Sequence, residues 1–529
     1  MQASRAHNRG RQAILSDVDV FRRHPSPRDV TELRALISTN ETSLASLNEE
    51  IEACSRQLSA LRTKSYAHIL TIRKCQAAMT LARLIPPELL AKIFKHASET
   101  GWTRAPIVAS HVCSTWRAAA HSHPGVWSRL TVNLDMRNPV GWTEHWLSMA
   151  RHASLHVTII HTAPTASLGH VMTLLLERSE QWVSLTLDLH LADTRQVLAA
   201  CTARFTRLRS IGLSLVATDE SIEAAEGTTS FANAFQDAPA LTSVSIVGNV
   251  IPRDLPPRLT SLRIECSGPF GSSIETPRSV IETLQSLPDL ETLTLRLGVI
   301  ATTPLDIPNI ELPKLKTLIY EDLRTGGFPI LNYLTASSLI HLYAHVHPDP
   351  DVHDTPVYLS RFLEGSPNVE TLEFGGADIW PEQWLSVFPL LPKLRKLHLH
   401  DSDIDDEVIE GMFGKNGLCP DLRRIDLRWC QHIRGTTLVR LVESRVGGGG
   451  CEIEEVAAIC CSLVRKQDAM QLAGLTTFRV IIGERDERCR EFNLLLHVSP
   501  WICPDLVFAQ ARGDVAITSN IVNGSSSIC

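Results

Sequence analysis

Residues 394–399, Leu-Arg-Lys-Leu-His-Leu, contain the short pattern that decides the fold of this chain. A leucine is followed by two residues, an aliphatic residue, one further residue and another apolar residue. Apolar side chains at alternate positions predict a strand with one buried face. The pattern recurs at Leu208-Ile211-Leu213, Leu241-Val244-Ile246, Leu259-Leu262-Ile264, Leu290-Leu293-Leu295, Leu315-Leu318-Tyr320, Val369-Leu372-Phe374 and Leu422-Ile425-Leu427, and more weakly at Leu339-Leu342-Ala344 and Trp182-Leu185-Leu187.

The spacing of these strands predicts a repeat architecture. From Leu208 onward, successive first positions differ by 33, 18, 31, 25, 24, 30, 25 and 28 residues. Most steps are close to the roughly 20–29 residues of leucine-rich repeats, although the 18-residue step leaves little room for a helix. We therefore predict an α/β fold, an irregular leucine-rich-repeat solenoid over residues 131–446, with a possible last repeat at 451–489.

The strand residues between the buried leucines predict the binding face of such a solenoid, because they point to its concave side. In the C-terminal strands many of them are basic or histidine, which favours an acidic or phosphorylated partner. A solvated strand face without function explains the same residues equally well. The candidate substrate-binding residues are His341, Tyr343, His345, Lys396, His398, His400, Arg424, Asp426 and Arg428.

A compact set of helical segments is predicted at residues 84–130, ahead of the repeats. Pro86 and Pro87 suit the first turn of a helix, where the missing backbone donor is not needed. Large apolar residues follow at helical spacing, and a second helical stretch covers residues 108–121. A module of this size cannot bury so many apolar groups internally, so the rest of the chain or a partner must cover them.

This module resembles the F-box family. Two blocks occur in the right order and at the right distance, Pro86-Pro87-Glu88-Leu89 with Ile93-Phe94, then Val112-Cys113, Trp116-Arg117 and Trp127. Ile85 departs from the leucine that is usual in the family but keeps the apolar contact. The wider layout, a heptad helix followed by the module and irregular repeats, resembles F-box proteins common in mushroom-forming fungi.

The resemblance implies binding to a Skp-family adaptor, which joins a cullin and a RING subunit. The chain would be the substrate-recognition subunit of an SCF-type ubiquitin ligase, with the repeats holding a protein substrate. A non-degradative F-box scaffold without ubiquitin transfer is the alternative, and helices that merely cap the solenoid would explain the module without any adaptor. The residues implied for adaptor binding are Ile85, Pro86, Leu89, Leu90, Ile93, Val112, Cys113, Trp116 and Trp127.

A heptad pattern predicts an amphipathic helix over residues 30–76. The two positions of its seam are Ile37, Leu44, Ile51 and Leu58, and Leu33, Asn40, Leu47, Cys54 and Leu61. Apolar residues at this spacing form a stripe along one side of a helix. The stripe suits either a helix folded back on its own chain or a dimeric coiled coil. A disordered arm is expected at 1–29, a flexible break at 447–450, and residues 490–529 show no period.

Composition excludes several classes of function. The 529 residues have a formal net charge of −7 and a pI of about 6.3, so the basic surface typical of nucleic-acid binders is not expected. The 13 cysteines contain no C-x-x-C pair, which argues against a zinc-binding RING of its own and for reduced thiols. No catalytic motif, metal site or cofactor site was found, and no membrane-spanning run. We expect a non-enzymatic protein of the cytoplasm or nucleus.

Overall fold

The computed structural model describes residues 26–79, 85–161, 167–216, 231, 233–266, 277–298, 309–322, 330–346, 355–376, 379–446 and 451–481. Most of the predicted arm, the break at 447–450 and the predicted tail at 490–529 lie outside the described residues. Within the described part of the chain, no helix combines the length and apolar character needed to cross a membrane. The chain divides into two compact units, residues 1–90 and 91–529.

The first unit contains a 52-residue helix, α1, from Pro27 to Ala78. It begins three residues earlier than the heptad pattern predicts. Its first turn is closed by a capping box: the Asp29 backbone N–H donates to the Ser26 hydroxyl, and the Ser26 backbone N–H donates to the Asp29 carboxylate. None of the 52 residues of this fully described helix is buried, so its apolar stripe is open along its whole length.

Three short helices form the small module that the sequence predicts before the repeats. They are α2 (Pro87–Glu99), α3 (Ala105–Val112) and α4 (Ser114–Ser122), followed by a 3-10 turn at Pro124–Trp127. Cys113 has an extended backbone and separates α3 from α4. The ring of Phe94 packs on the ring of Trp116, with centroids 5.0 Å apart, and this contact joins α2 to α4.

A single parallel sheet of 14 strands forms the body of the second unit, and its strands follow one another in chain order. The α/β fold and the solenoid predicted from the repeats are confirmed. A separate parallel pair consists of β8 (Ile310–Glu311) and β10 (Leu334–Thr335). The 14 strands are β1 Arg129–Asn133, β2 Leu155–Ile160, β3 Trp182–Asp188, β4 Ser210–Leu215, β5 Ser243–Gly248, β6 Ser261–Cys266, β7 Thr292–Leu297, β9 Thr317–Asp322, β11 His341–His345, β12 Thr371–Gly375, β13 Lys396–His400, β14 Arg424–Arg428, β15 Glu455–Ile459 and β16 Thr477–Ile481.

Most of the connections between strands contain a helix or a 3-10 turn, as parallel neighbours require a crossover. The helices among the described residues of the solenoid are α5 Pro139–Ala150, α6 Leu168–Leu176, α7 Leu191–Ala200, α8 Pro277–Gln285, α9 Thr355–Glu364, α10 Pro381–Val387, α11 Asp406–Glu410, α12 Gly435–Arg445 and α13 Lys466–Leu475. The 18-residue step between β5 and β6 contains none of them.

The core lies on one face of the sheet, where the pattern residues point. Leu293 and Leu295 of β7 and Leu397 and Leu399 of β13 are completely buried, and the residues between them are not. This alternation is the period of two that a strand imposes on its side chains. The core therefore consists of rows of aliphatic side chains that run from strand to strand along the solenoid.

Trp127 ties the helical module to the first strands of the sheet. Its indole N–H donates to the Ala120 carbonyl at 2.8 Å, and its own carbonyl accepts from the Trp146 indole at 2.7 Å. The Trp127 and Trp146 rings are 4.9 Å apart in an edge-on arrangement. Both tryptophans are 1% exposed, so they belong to the core of the second unit.

Candidate functional site

The strand residues predicted for substrate binding lie on the face of the sheet opposite the leucines. His341, Tyr343 and His345 of β11 are half-buried, while Leu342 and Ala344 between them are buried. The strands pair in register, so residues from successive repeats form rows across this face. The rows at its C-terminal end are Thr371, Lys396 and Arg424; Glu373, His398 and Asp426; and Gly375, His400 and Arg428.

Carboxylates accompany the basic residues of this face. Arg428 donates two hydrogen bonds to the carboxylate of Asp426, from Nε at 3.0 Å and from Nη2 at 2.9 Å. His400 Nε2 lies 3.6 Å from Glu373 Oε1. Arg424 Nε lies 3.8 Å from a carboxylate oxygen of Glu454 and 3.8 Å from one of Glu455. The face is therefore a network of both signs, in which Glu373, Glu454 and Glu455 offset basic charge in addition to Asp426.

Charge is unevenly distributed along the sheet. One in-register row across β3 to β7 and β9 presents only hydroxyl side chains, those of Ser184, Ser210, Ser243, Ser261, Thr292 and Thr317. Charged side chains dominate the other positions from β6 onward, where Arg296 lies between Glu265 and Glu321 and forms ion pairs with both. The C-terminal half of the face therefore has the greater capacity for polar recognition.

A depression of about 210 Å³ lies within this charged half. It lies where Gly375 interrupts the row of side chains between His345 and His400. A Cβ atom at Gly375 would lie 2.9 Å from the Cβ of His400, so a larger residue would crowd the site. The lining residues are Arg263, Thr294, Arg296, Ile319, Tyr320, Glu321, Tyr343, Ala344, His345, Glu373, Gly375 and His400.

Three of the predicted substrate-binding residues, Tyr343, His345 and His400, line this depression, and the other six do not. Ile319 and Glu321 were not among the predicted residues, although the alternation of Leu318 and Tyr320 in the sequence places both on this face. Burial, with a smaller contribution from the charge of Glu373, raises the pKa of Tyr343. The Tyr343 hydroxyl therefore stays protonated at neutral pH and can donate a hydrogen bond to a ligand.

The ion pair between Asp426 and Arg428 makes the stability of this face depend on pH. Burial opposes ionisation of Asp426. The hydrogen bonds and charge of Arg428, with the charges of His398 and His400, outweigh it and hold the pKa of Asp426 below its usual value. A carboxylate whose pKa is lowered on folding stabilises the folded state above its unfolded pKa of about 4. That stabilisation is lost as the pH falls through the lower, folded pKa.

We predict that Asp426→Asn lowers the free energy of unfolding by roughly 1–3 kcal/mol at neutral pH. The difference from the wild type should stay constant from pH 7 down to the unfolded pKa of about 4 and shrink below it, since the wild-type carboxylate is protonated only as the pH falls through its lowered pKa. Chemical denaturation at several pH values measures it. In an Arg428→Gln background the Asp426→Asn substitution should have a smaller effect, and an equal effect there would contradict the pairing.

The helical module presents a second candidate surface, made of exposed apolar side chains. Ile93 of α2 is 51% exposed, Val108 and Val112 of α3 are 44% and 57% exposed, and Trp102 between these helices is 54% exposed. We call Ile93, Trp102, Val108 and Val112 the apolar surface of the module. Single exposed apolar residues are common on proteins, but four in a stretch of 20 residues mark a candidate interaction site.

The structure separates the residues predicted for adaptor binding into three groups. Pro86, Leu89, Ile93 and Val112 are exposed, and Ile85, Cys113 and Trp116 are half-buried. Leu90 and Trp127 are each 1% exposed. Because the chain itself encloses these two side chains, they stabilise the fold and do not offer a surface to a partner. Trp102 and Val108 are exposed residues that the family resemblance did not indicate.

Among the described residues, no group of three or more histidine, cysteine, aspartate or glutamate side chains is placed to hold a metal ion. Burial raises the pKa of the thiols of Cys201 and Cys419 to about 12. Both thiols are therefore protonated at neutral pH, and they behave as small apolar side chains of the core.

These observations define a leucine-rich-repeat-like solenoid protein with an N-terminal helical module. No protein-family model and no curated protein matches the chain. One solved structure that it resembles is the Rad7 and Elc1 complex in yeast, with 14% identity and a TM-score of 0.35, covering 79% of this chain and 86% of that chain. Another is the TLR13–ssRNA13 complex, with 17% identity and a TM-score of 0.36. That match covers 64% of this chain and 48% of the other chain. At these TM-scores neither likeness says anything about the function of this chain.

Proposed function

We propose that this chain is a substrate-recognition subunit of an SCF-type ubiquitin ligase, acting in the cytoplasm or nucleus. The helical module would bind a Skp-family adaptor, which recruits a cullin and a RING subunit, and the solenoid would hold a protein substrate. The chain would contribute no chemistry itself. It would act by proximity, because holding a substrate beside a ubiquitin-loaded enzyme raises the effective concentration of the reacting groups.

The apolar surface of the module is the observation that carries the proposal. Ile93 and Val112 are more than half exposed, although Leu90 and Phe94 of the first of these helices and Ala105 and Ala109 of the second are buried. A solenoid cap would bury such residues or replace them by polar ones. Both residues are among those through which the sequence resembles the F-box family, so the exposed positions and the family pattern coincide.

The charged half of the sheet face opposite the leucines supports the role of substrate receptor. Its ion pairs present both signs of charge in fixed positions, with Arg296 between two glutamates and Arg428 bound to Asp426. Such an arrangement selects partners by complementary charge patterns more than by total charge. A folded protein segment with both acidic and basic side chains suits it better than a uniformly acidic ligand.

Affinity purification of the tagged full-length chain from cells with the proteasome blocked tests the proposal. We expect a Skp-family adaptor, a cullin and a RING subunit to copurify, together with ubiquitin-conjugated proteins. Absence of the adaptor would contradict the proposal. Capture of adaptor and cullin without ubiquitin transfer to any copurifying protein, in a reaction reconstituted with ubiquitin-loaded enzyme, would instead show the non-degradative scaffold.

A further inference from the structure

The apolar stripe of helix α1 is used by neither surface of the proposed function. Ile37, Leu44, Leu47, Ile51, Leu58 and Leu61 are between 50% and 64% exposed, and they lie on one side of the helix. The spacing alternates between three and four residues over 33–61, which corresponds to about 43 Å of helix at 1.5 Å per residue. Long helices in water depend mainly on packing of such a stripe, so this one needs a partner of the same length.

We propose that α1 pairs with α1 of a second copy of this chain in a parallel, two-stranded coiled coil. Ile37, Leu44, Ile51 and Leu58 would occupy the a positions of the heptads, and Leu33, Asn40, Leu47, Cys54 and Leu61 the d positions. Isoleucine at a together with leucine at d favours two strands. A second copy supplies the same heptads over the same length. Each side chain at an a or d position can therefore pack into the space between side chains of the facing helix along the whole seam.

Asn40 favours the parallel arrangement. In parallel register its carboxamide faces the carboxamide of the second copy, and the two can form a hydrogen bond within the seam. An antiparallel pairing centred on residues 37–61 would place Asn40 against Leu58, where a polar group is buried without a partner. A polar residue in an otherwise apolar seam typically sets register and number of strands at some expense of stability.

The flanking charges permit self-association. In parallel register, the residues that approach each other across the seam are Ser43 and Asn48, Glu50 and Ser55, and Gln57 and Arg62. None of these pairs joins two like charges, so the arrangement involves no repulsion across the interface. The sparse charge also explains why the stripe itself, and not the flanking residues, determines the pairing.

Size-exclusion chromatography with light scattering on the full-length chain tests the dimer. We expect a mass of twice the 58.5 kDa chain at micromolar concentration. Leu47→Lys with Ile51→Lys places two ammonium groups in the seam and should raise the dimer Kd by at least ~100-fold. The matched control, Ala45→Lys with Ala53→Lys, adds the same charge outside the seam and should remain dimeric. A monomeric wild type, or a seam variant as dimeric as its control, would overturn the proposal.

A cysteine pair tests the direction of the strands. In a Cys54→Ser background, the cysteine of Leu33→Cys should form a disulfide with the same cysteine of the second copy under mild oxidation. In an antiparallel pairing centred on the same stretch the two positions would be about 48 Å apart at 1.5 Å per residue, so no disulfide could form. A dimer without this crosslink would therefore overturn the parallel arrangement.

Adaptor capture and the thermal unfolding of the solenoid should be the same for the seam variant and its control. This outcome would show that the variant is folded, and it separates failure of the dimer from failure of the proposed function. A seam variant that lost solenoid stability would show that α1 supports its own chain, which would contradict self-association as its role.

Discussion

Replacement of both Ile93 and Val112 by aspartate is expected to abolish capture of a Skp-family adaptor. Each substitution introduces a carboxylate at a position whose native side chain is more than half exposed in the free chain, so the fold tolerates it. In a complex the same carboxylates would be buried against an apolar partner without a counter-charge, at several kcal/mol each. Two such substitutions lower affinity by at least ~1,000-fold, which removes a micromolar or nanomolar complex from a pull-down.

The choice of these two residues follows from the packing of the module. Trp116 is also a residue of the family pattern, but its ring packs on Phe94, so its removal would disturb the fold as well as the surface. Val357→Asp in α9 is the matched control, because Val357 is 67% exposed and lies on a helix of the solenoid. The control should bind the adaptor as the wild type does.

Circular dichroism and thermal unfolding of all three proteins show whether the repeats remain folded. Undiminished adaptor capture by the double variant, with an unchanged melting curve, would place the adaptor elsewhere on the chain or remove it from the function. Loss of capture by the Val357→Asp control as well would show that the assay reports non-specific binding by the chain and not binding through a specific surface.

Arg445→Met is expected to cause a large loss of stability in the solenoid. Arg445 ends helix α12 and is 1% exposed, and its guanidinium donates to four backbone carbonyls, those of Met412, Leu418, Cys419 and Pro420. Methionine fills a similar volume but donates no hydrogen bond, so these carbonyl groups lose their donors in the interior. The expected loss is at least about 3 kcal/mol.

The Arg445 guanidinium also stabilises an unusual backbone conformation at Cys419. Cys419 has a φ of 50°, in the left-handed region, and its carbonyl accepts from Arg445 Nη2 at 3.2 Å. A conformation of this kind persists only where the surroundings enforce it. Hydrogen exchange of the segment 411–423 should therefore accelerate in Arg445→Met before the rest of the sheet is affected.

Two further substitutions sharpen the Arg445 prediction. Arg445→Lys retains the charge but not the planar fork, so it should restore only part of the stability. Arg440 lies on the same helix as Arg445, and Arg440→Met removes its exposed ion pair with Glu410 of α11, at 2.6 Å, so it should change stability by less than about 1 kcal/mol. A loss for Arg445→Met as small as that for Arg440→Met would contradict the role given to the buried guanidinium.

The sequence by itself determined where most strands lie and which way their side chains point. The leucine pattern locates β4 to β7, β9 and β11 to β14, because a strand alternates its faces with a period of two and the core requires leucine at fixed places. The same alternation places His341, Tyr343 and Lys396 on the face of the sheet opposite the leucines, without any knowledge of the tertiary structure. It missed β1, β2 and β15, which lack the leading leucine of the pattern and are held by their neighbours in the sheet.

Only the tertiary structure decided which of the predicted site residues are accessible and how their charges are balanced. Leu90 and Trp127 look like surface anchors in a helical pattern, yet the fold encloses both. Arg424 meets Glu454 and Arg445 meets the carbonyl of Met412, partners 30 and 33 residues away in the chain. Contacts at this separation join neighbouring repeats, and no local pattern of residues encodes them, because they depend on how each repeat stacks on the next.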